Sequence, residues 1–190
     1  MPPSLLTANE PTAAPTDARA GKYLAFQLAN EEFGIRVLKV KEIMGLQEIT
    51  AVPQTPAHIK GVINLRGKVV PVIDLRLKFG VAAAEYTQRT CIIVTKVQGE
   101  SGPVLMGIVV DGVSEVLNLT AQEIEDTPDF GEEIAGKYLL GMAKVKGKVK
   151  ILLDIDKVLA GQELHGLNGL LDSGIRQPQL RGEGAANERG

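Results

Sequence analysis

The chain is short of the residues that mark several common functions. Its 190 residues include one cysteine, no tryptophan, two histidines, four phenylalanines and three tyrosines. A lone Cys91 cannot form an internal disulfide, which fits a reducing compartment, so a cytoplasmic protein is expected. Charge of either sign is not in excess. Twenty-one Lys and Arg face 23 Asp and Glu, leaving a formal charge of -2. That balance gives no field to gather nucleic acid or anionic lipid, and so few aromatics leave few platforms for stacked bases. Long apolar runs are missing too. The first 21 residues lack a basic segment followed by an apolar run, and nowhere do 18 apolar residues stand in a row. No export and no direct membrane insertion are expected.

Catalytic and metal motifs are equally scarce. His58 and His165 lack neighbouring ligand-like clusters, and His58 reads as a polar residue of the Pro56–Gly61 loop. Cys91 opens the run CIIV and reads as a small buried hydrophobe. The chain has no phosphate-binding G-x-x-x-x-G-K-[S/T] loop. Asp154 and Asp156 form a D-x-D pair without the later ligands of a cation loop, so helix capping is the better reading. No metal site and no cofactor are implied, and a binding module is expected rather than an enzyme.

The sequence is rich in β-branched residues. Of 32 Val and Ile, 31 lie between Ile35 and Val158, so the core is central. Residues 1–20, rich in Pro, Ala and Thr, read as a disordered arm. Residues 164–190 read as a short helix, within Gly161 to Leu171, followed by a flexible tail. Between them, YLAFQL, FGIRVLKV, VVPVIDL, CIIVTKV, VLMGIVV and KILLDI are short, β-branched and fenced by Gly or Pro, the pattern of strands. Asp74 and Asp154 each end such a run, where each could cap a short helix closing at Gly80 or Gly161.

An internal repeat is visible. Gly34 set on Gly107 aligns FGIRVLKVKEI with MGIVVDGVSEV at an offset of 73. Gly61 set on Gly141 aligns GVINLRGKVVPVIDL with GMAKVKGKVKILLDI at an offset of 80. The difference is taken up by an insertion around Asp129 to Gly136. The expected fold is therefore all-β: two tandem five-stranded SH3-like barrels packed on each other, with short helices. The domain spans 21–163, divided roughly into 21–82 with 151–163 and 88–150, and leaves open an exchange of strands. Each barrel alone would be marginal, so the two should pack on each other, and their seam is a natural place for a binding groove. Asn64 and Gly67 in the first copy, with Gly141 and Gly147 in the second, are expected to shape the hairpins. Arg66 in that turn reads from spacing alone as a solvated cation, with Lys146 as its counterpart.

The same stretch resembles the signature of the CheW family of chemotaxis coupling proteins, at Gly61, Val62, Asn64, Leu65, Arg66, Gly67, Pro71, Asp74, Leu75 and Arg76. Upstream, Gly34, Ile35, Val40, Glu42 and Ile43 resemble a second family segment. Downstream, Gly107, Val110, Asp111, Val113 and Val116 resemble a third. The likeness runs from about Lys22 to Glu163. It implies a non-enzymatic adaptor joining the helical-hairpin tips of methyl-accepting chemotaxis receptors to the regulatory domain of the histidine kinase CheA, at receptor arrays beneath the inner membrane. Receptor-facing positions would be Val40, Glu42, Gly61 and Arg66. Kinase contact would fall near Gly107, Val113, Val116 and Phe130. Physically, Val40 would form the apolar floor of a helix-binding groove, or plain core, while Glu42 and Arg66 set register at its rim. Phe130, alone in a polar loop, is either tucked back or offered to a partner. Lys does not replace Arg in bidentate contacts, so the two copies should differ in function. Rival readings are an adaptor of a non-motility pathway such as surface sensing, and a generic SH3-like peptide or nucleic-acid module.

Overall fold

The computed structural model describes residues 18–128 and 135–160. Within them eleven strands follow one another: β1 (Gly21–Leu28), β2 (Glu31–Arg36), β3 (Val40–Gly45), β4 (Ile59–Leu65), β5 (Lys68–Asp74), β6 (Cys91–Gly99), β7 (Gly102–Val110), β8 (Gly112–Leu119), β9 (Ile124–Glu125), β10 (Leu139–Val145) and β11 (Lys148–Leu153). Three one-turn helices, α1 (Leu75–Lys78), α2 (Ala135–Tyr138) and α3 (Ile155–Val158), punctuate them. Asp74 caps α1, its Oδ1 accepting from the Arg76 and Leu77 amides, and Asp154 Oδ1 accepts from the Lys157 amide at the start of α3. Gly80, at φ 70°, follows α1 in the left-handed conformation that stops a helix. Gly161, the Gly161–Leu171 helix, His165, residues 1–17 and the C-terminal tail lie outside the described residues. Arg19, at the end of the expected arm, is instead tied to the body through Asp126 and the Leu140 carbonyl.

The strands form two SH3-like β subdomains. One sheet runs β8-β1-β2-β11-β10-β9 and the other β3-β6-β7-β5-β4. Six and five strands thus replace the expected five and five, the extra one being the two-residue β9. These sheets also cut the chain differently from the division into 21–82 with 151–163 and 88–150. The β1–β2 hairpin belongs to the first copy of the repeat yet completes the sheet of β8 to β11. The β6–β7 hairpin of the second copy completes the sheet of β3 to β5. The exchange is reciprocal. A repeat read along the chain cannot reveal it, because equivalent hairpins fit either sheet alike.

Register shows how closely the halves correspond. β2 runs parallel to β11 with Gly34 opposite Leu152, and β7 runs parallel to β5 with Gly107 opposite Val72. Offsets of 73 and 80 map one pairing onto the other. At both places glycine lets the exchanged hairpin approach its host strand. A Cβ on Gly34 would lie 3.0 Å from Leu152 Cδ2, and one on Gly107 would lie 3.0 Å from Ile92 Cγ2 and 3.3 Å from Val72 Cγ2. The largest core cluster gathers Leu24, Phe26, Ile35, Ile73, Leu75, Ile93, Met106, Ile108 and Leu153, drawn from both copies. Burying a Phe, Leu or Ile there contributes about 1.5–3 kcal/mol each.

Polar clamps hold the places where chain passes between sheets. β7 leads into β8 through Asp111 alone, whose Oδ1 and Oδ2 accept from Arg76 Nε and Nη2 at 2.7 and 2.5 Å. The Ala29 amide of the β1–β2 turn donates to the same Oδ2 at 2.7 Å. Three segments from both copies meet at one carboxylate. Burial raises its pKa, but the hydrogen bonds from Arg76 and Ala29 outweigh that and hold it below the ordinary Asp value. A carboxylate with a depressed pKa contributes stability that is complete above the ordinary value, about 4, and is lost as pH falls through the lowered one. Asp111→Asn should therefore cost about 2 kcal/mol near neutral pH. Thermal melts taken from about pH 7 down to about pH 2 should show the gap to wild type closing in acid; a gap independent of pH would remove Asp111 from this role.

Candidate functional site

Of the expected receptor-facing residues, Gly61 and Arg66 belong to the β4–β5 hairpin and Glu42 meets Arg66 from β3, while Val40 packs on the main core. The hairpin turn places Arg66 at φ 49° and Gly67 at φ 83°, so both central residues are left-handed, as a two-residue hairpin loop of the right twist requires. Asn64 Oδ1 accepts from the Gly67 amide at 2.8 Å, fixing the turn. From this non-glycine left-handed position the Arg66 guanidinium reaches β3, where Nη1 and Nη2 donate to Glu42 Oε2 at 2.8 and 2.7 Å. β3 and β4 are the two edges of their sheet. The ion pair therefore spans an opening that the strand ladder leaves.

The rest of that opening is closed by backbone. Thr50, beyond the end of β3, exchanges two 2.9 Å hydrogen bonds with Val62 of β4. Gly61 makes room for this bridge. It stands at φ 136°, and a Cβ there would lie 2.0 Å from the Thr50 carbonyl oxygen. Gly61 is buried, so it serves the face by letting the barrel close. Val40 is half-buried against the main core, with Val37 and Phe33 in the same cluster. Gly61→Ala should cost about 2–4 kcal/mol, read as a lower urea midpoint, because backbone would have to move; an unchanged midpoint would mean that the bridge is dispensable.

β3 also turns an unexpected side outward. Val40, Glu42 and Met44 are half-buried while Lys41, Ile43 and Gly45 are exposed, so the acid faces in and the isoleucine faces out. Also exposed are Leu46, Val69 of β5, and Leu38, which is 88% exposed on the 3-10 turn Val37–Lys39 between β2 and β3. Residue classes alone did not single out Leu38, Ile43 or Val69. The clue was alternation: counting by twos from Val40 puts Ile43 on the outer side.

The second copy builds a matching face. Lys146 and Gly147 take φ 51° and 76°, Lys146 Nζ lies 4.0 Å from Glu115 Oε2, and exposed Val116 and Val149 occupy the places of Ile43 and Val69. A Cβ on Gly141 would lie 2.7 Å from the Glu125 carbonyl, as Gly61 does against Thr50. Two of the differences between the faces concern their cations. Lys146 makes one loose contact where Arg66 makes two short ones. Lys150 stands where the first copy has Val70. Its side chain, only 4% exposed, donates to Glu32 Oε2 at 2.9 Å and Glu115 Oε1 at 3.2 Å. Burial lowers the lysine pKa, yet the two carboxylates more than offset this and hold it above its ordinary value. The Lys150 hydrogen bond in turn outweighs burial at Glu32 and keeps that carboxyl below its usual range. Lys150→Met should destabilise by about 1–3 kcal/mol near neutral pH, since two carboxylates would face each other unpaired. The loss should shrink in acid as they protonate, and urea titrations at both pH values would show it; a pH-independent loss would point to packing instead.

Of the expected kinase-facing residues, Val116 is exposed and Val113 is half-buried against the main core. Gly107 is buried between Val72 and Ile92 and has no surface to offer; it is a packing position. Phe130 lies outside the described residues. The seam holds a groove of about 490 Å³ whose lining includes Phe33, Phe79, Tyr138, Leu139 and Ile151, with Lys78 and Glu31 as its charged groups. None of Val40, Glu42, Gly61 or Arg66 lines it, so the seam groove and the Arg66 face are separate. Cys91 is buried and its thiol pKa is pushed up by that burial, the opposite of an activated nucleophile. Among the described residues, no group of three or more His, Cys, Asp or Glu is placed to hold a metal ion, and no helix is long and apolar enough to cross a membrane.

Comparison with known proteins agrees with this fold. The CheW-like domain family matches residues 22–163. The chemotaxis protein CheW of Klebsiella aerogenes is 46% identical over 143 residues, covering 75% of this chain and 84% of that one. The chemotaxis protein CheW of Rhizobium meliloti is 34% identical over 140 residues, covering 74% and 88%. Among solved structures, the scaffolding protein TtCheW from Thermoanaerobacter tengcongensis superposes with a TM-score of 0.67 at 32% identity, covering 76% of this chain and 95% of that one.

Proposed function

The chain belongs to the CheW-like family, and on that footing we propose that it is a non-enzymatic chemotaxis coupling scaffold joining receptor signalling tips to the regulatory domain of the kinase CheA. Residence at receptor arrays beneath the inner membrane then follows from its partners. The receptor hairpin docks across β3 and the Arg66 turn, engaging the Glu42–Arg66 pair together with exposed Leu38 and Ile43 and half-buried Val40. The kinase docks on the second copy through Val113 and Val116, with Phe130 as a further contact. The observation that carries this reading is the Glu42–Arg66 pair itself. It joins two sheet edges at a surface whose neighbouring Ile43 and Val69 are exposed, a combination of apolar area and fixed charge suited to an amphipathic helix.

Two faces on one small body let each partner's binding depend on the other through a shared assembly. Titration of a receptor-tip fragment and, separately, of the kinase regulatory domain tests this. Arg66→Ala should weaken receptor binding about tenfold, near 1.4 kcal/mol, and leave kinase binding within about twofold. Arg66→Lys should fall between wild type and alanine, because a lysine cannot keep both short bonds to Glu42. Equal losses for both partners would take Arg66 off a receptor-specific face, and a folded wild type that binds neither would end the coupling reading.

A further inference from the structure

We infer that Lys39 and Asp156 form a positioning clamp that fixes the β2–β3 crossover and thereby presents Leu38 and Val40 to the partner helix; this rests on the receptor reading above. The geometry comes from the repeat. At the β7–β8 crossover, Asp111 accepts from the Ala29 amide of the exchanged hairpin and from Arg76 of α1. Offsets of 73 and 80 place Leu38 on Asp111 and Asp156 on Arg76, and the strand registers place Gln98 on Ala29.

A clamp of the same plan exists at the β2–β3 crossover with its charges exchanged. Asp156, on α3, accepts from the Gln98 amide through Oδ1 at 2.9 Å, while its Oδ2 lies 2.5 Å from Lys39 Nζ. The hairpin amide is capped by a carboxylate in both clamps. In the first, the acid comes from the crossover and the base from the helix. In the second, the acid comes from the helix and the base from the crossover, one residue later.

That exchange frees position 38. Where Asp111 is drawn inward by three hydrogen bonds, Leu38 is turned out to 88% exposure on a turn whose next residue is tied to α3. A single exposed leucine is ordinary, but one carried on a turn pinned by an ion pair is a fixed apolar knob of the kind that suits docking. It also accounts for the D-x-D pair. Asp154 caps α3 through Lys157, but Asp156 reaches across to the other subdomain. Lys39 and Asp156 are positioning residues, acting on the partner through the crossover between them.

The test uses the full chain, with a receptor-tip fragment and the kinase regulatory domain as probes. Asp156→Asn keeps an acceptor for the Gln98 amide and removes the charge. It should weaken receptor binding about three- to tenfold, leave kinase binding within about twofold, and speed amide hydrogen exchange at residues 37–40. The charge-exchanged double variant, Lys39→Asp with Asp156→Lys, should recover most of the affinity and the exchange protection. Receptor affinity unchanged in Asp156→Asn while exchange rises would overturn the proposal. So would a loss confined to Lys39→Gln, which would make Lys39 a direct contact. Failure of the wild type to bind the receptor fragment would overturn the receptor reading and this inference together, and it shows before any variant is made.

Discussion

Each sheet is finished by a hairpin from the other half of the chain. Apart from each other, β1 and β2 have no sheet partners within their own copy, and neither do β6 and β7. The fold therefore depends on two parallel strand contacts, β2 on β11 and β5 on β7, made at Gly34 and Gly107. Both are long-range contacts that form only when the copies meet, so the two subdomains are expected to fold as one cooperative unit. The main core takes residues from both copies, and so do the two smaller cores, one on each sheet, so neither copy has a core of its own. The clamps at Asp111 and Asp156 sit where the chain crosses between sheets, and their hydrogen bonds fix how one sheet lies on the other.

Duplication supplied two matching faces, and a few substitutions made them unlike. Arg66 gives the first face a two-bond pair, while Lys146 gives the second a single long contact. The second face compensates from beneath. Lys150 brings a buried cation to Glu115 and Glu32, where the first copy has Val70. A buried lysine is costly unless fully paired, and here two carboxylates satisfy it. One face thus carries its fixed charge on the rim and the other below the surface, so partners of different shape and polarity can be told apart.

Much of this was legible in the sequence, for physical reasons. β-branched runs fenced by Gly and Pro gave the strands, and Asp74 and Asp154 gave the helix starts, because both signals are local. The repeat was legible because Gly67 and Gly147, or Gly61 and Gly141, answer to backbone demands that few other residues meet. Which hairpin completes which sheet was not legible, since equivalent strands fit either place. Nor was the burial of Gly107, a residue that resemblance grouped with surface positions. Asp156 looked like a second capping group beside Asp154; its partners, Gln98 and Lys39, lie 58 and 117 residues away along the chain and no spacing rule reaches them.

The same topology bears on how a scaffold can pass a signal instead of merely holding two partners together. β3 carries Glu42 and pairs with β6; β6 pairs with β7; β7 runs through Asp111 into β8, which carries Glu115 and Val116. The faces are thus joined by backbone hydrogen bonds and one covalent crossover, with no flexible linker between. A partner that shifts the edge strand β3 must either break its ladder with β6 or carry the β6–β7 hairpin with it. Breaking several backbone hydrogen bonds costs more than a small rigid movement, so displacement is the cheaper response. Whatever moves the hairpin also loads the clamp at Asp111, and so reaches the origin of β8. A coupling free energy between faces requires two arrangements that each partner favours unequally, and the exchanged hairpins are the elements of this fold placed to supply them.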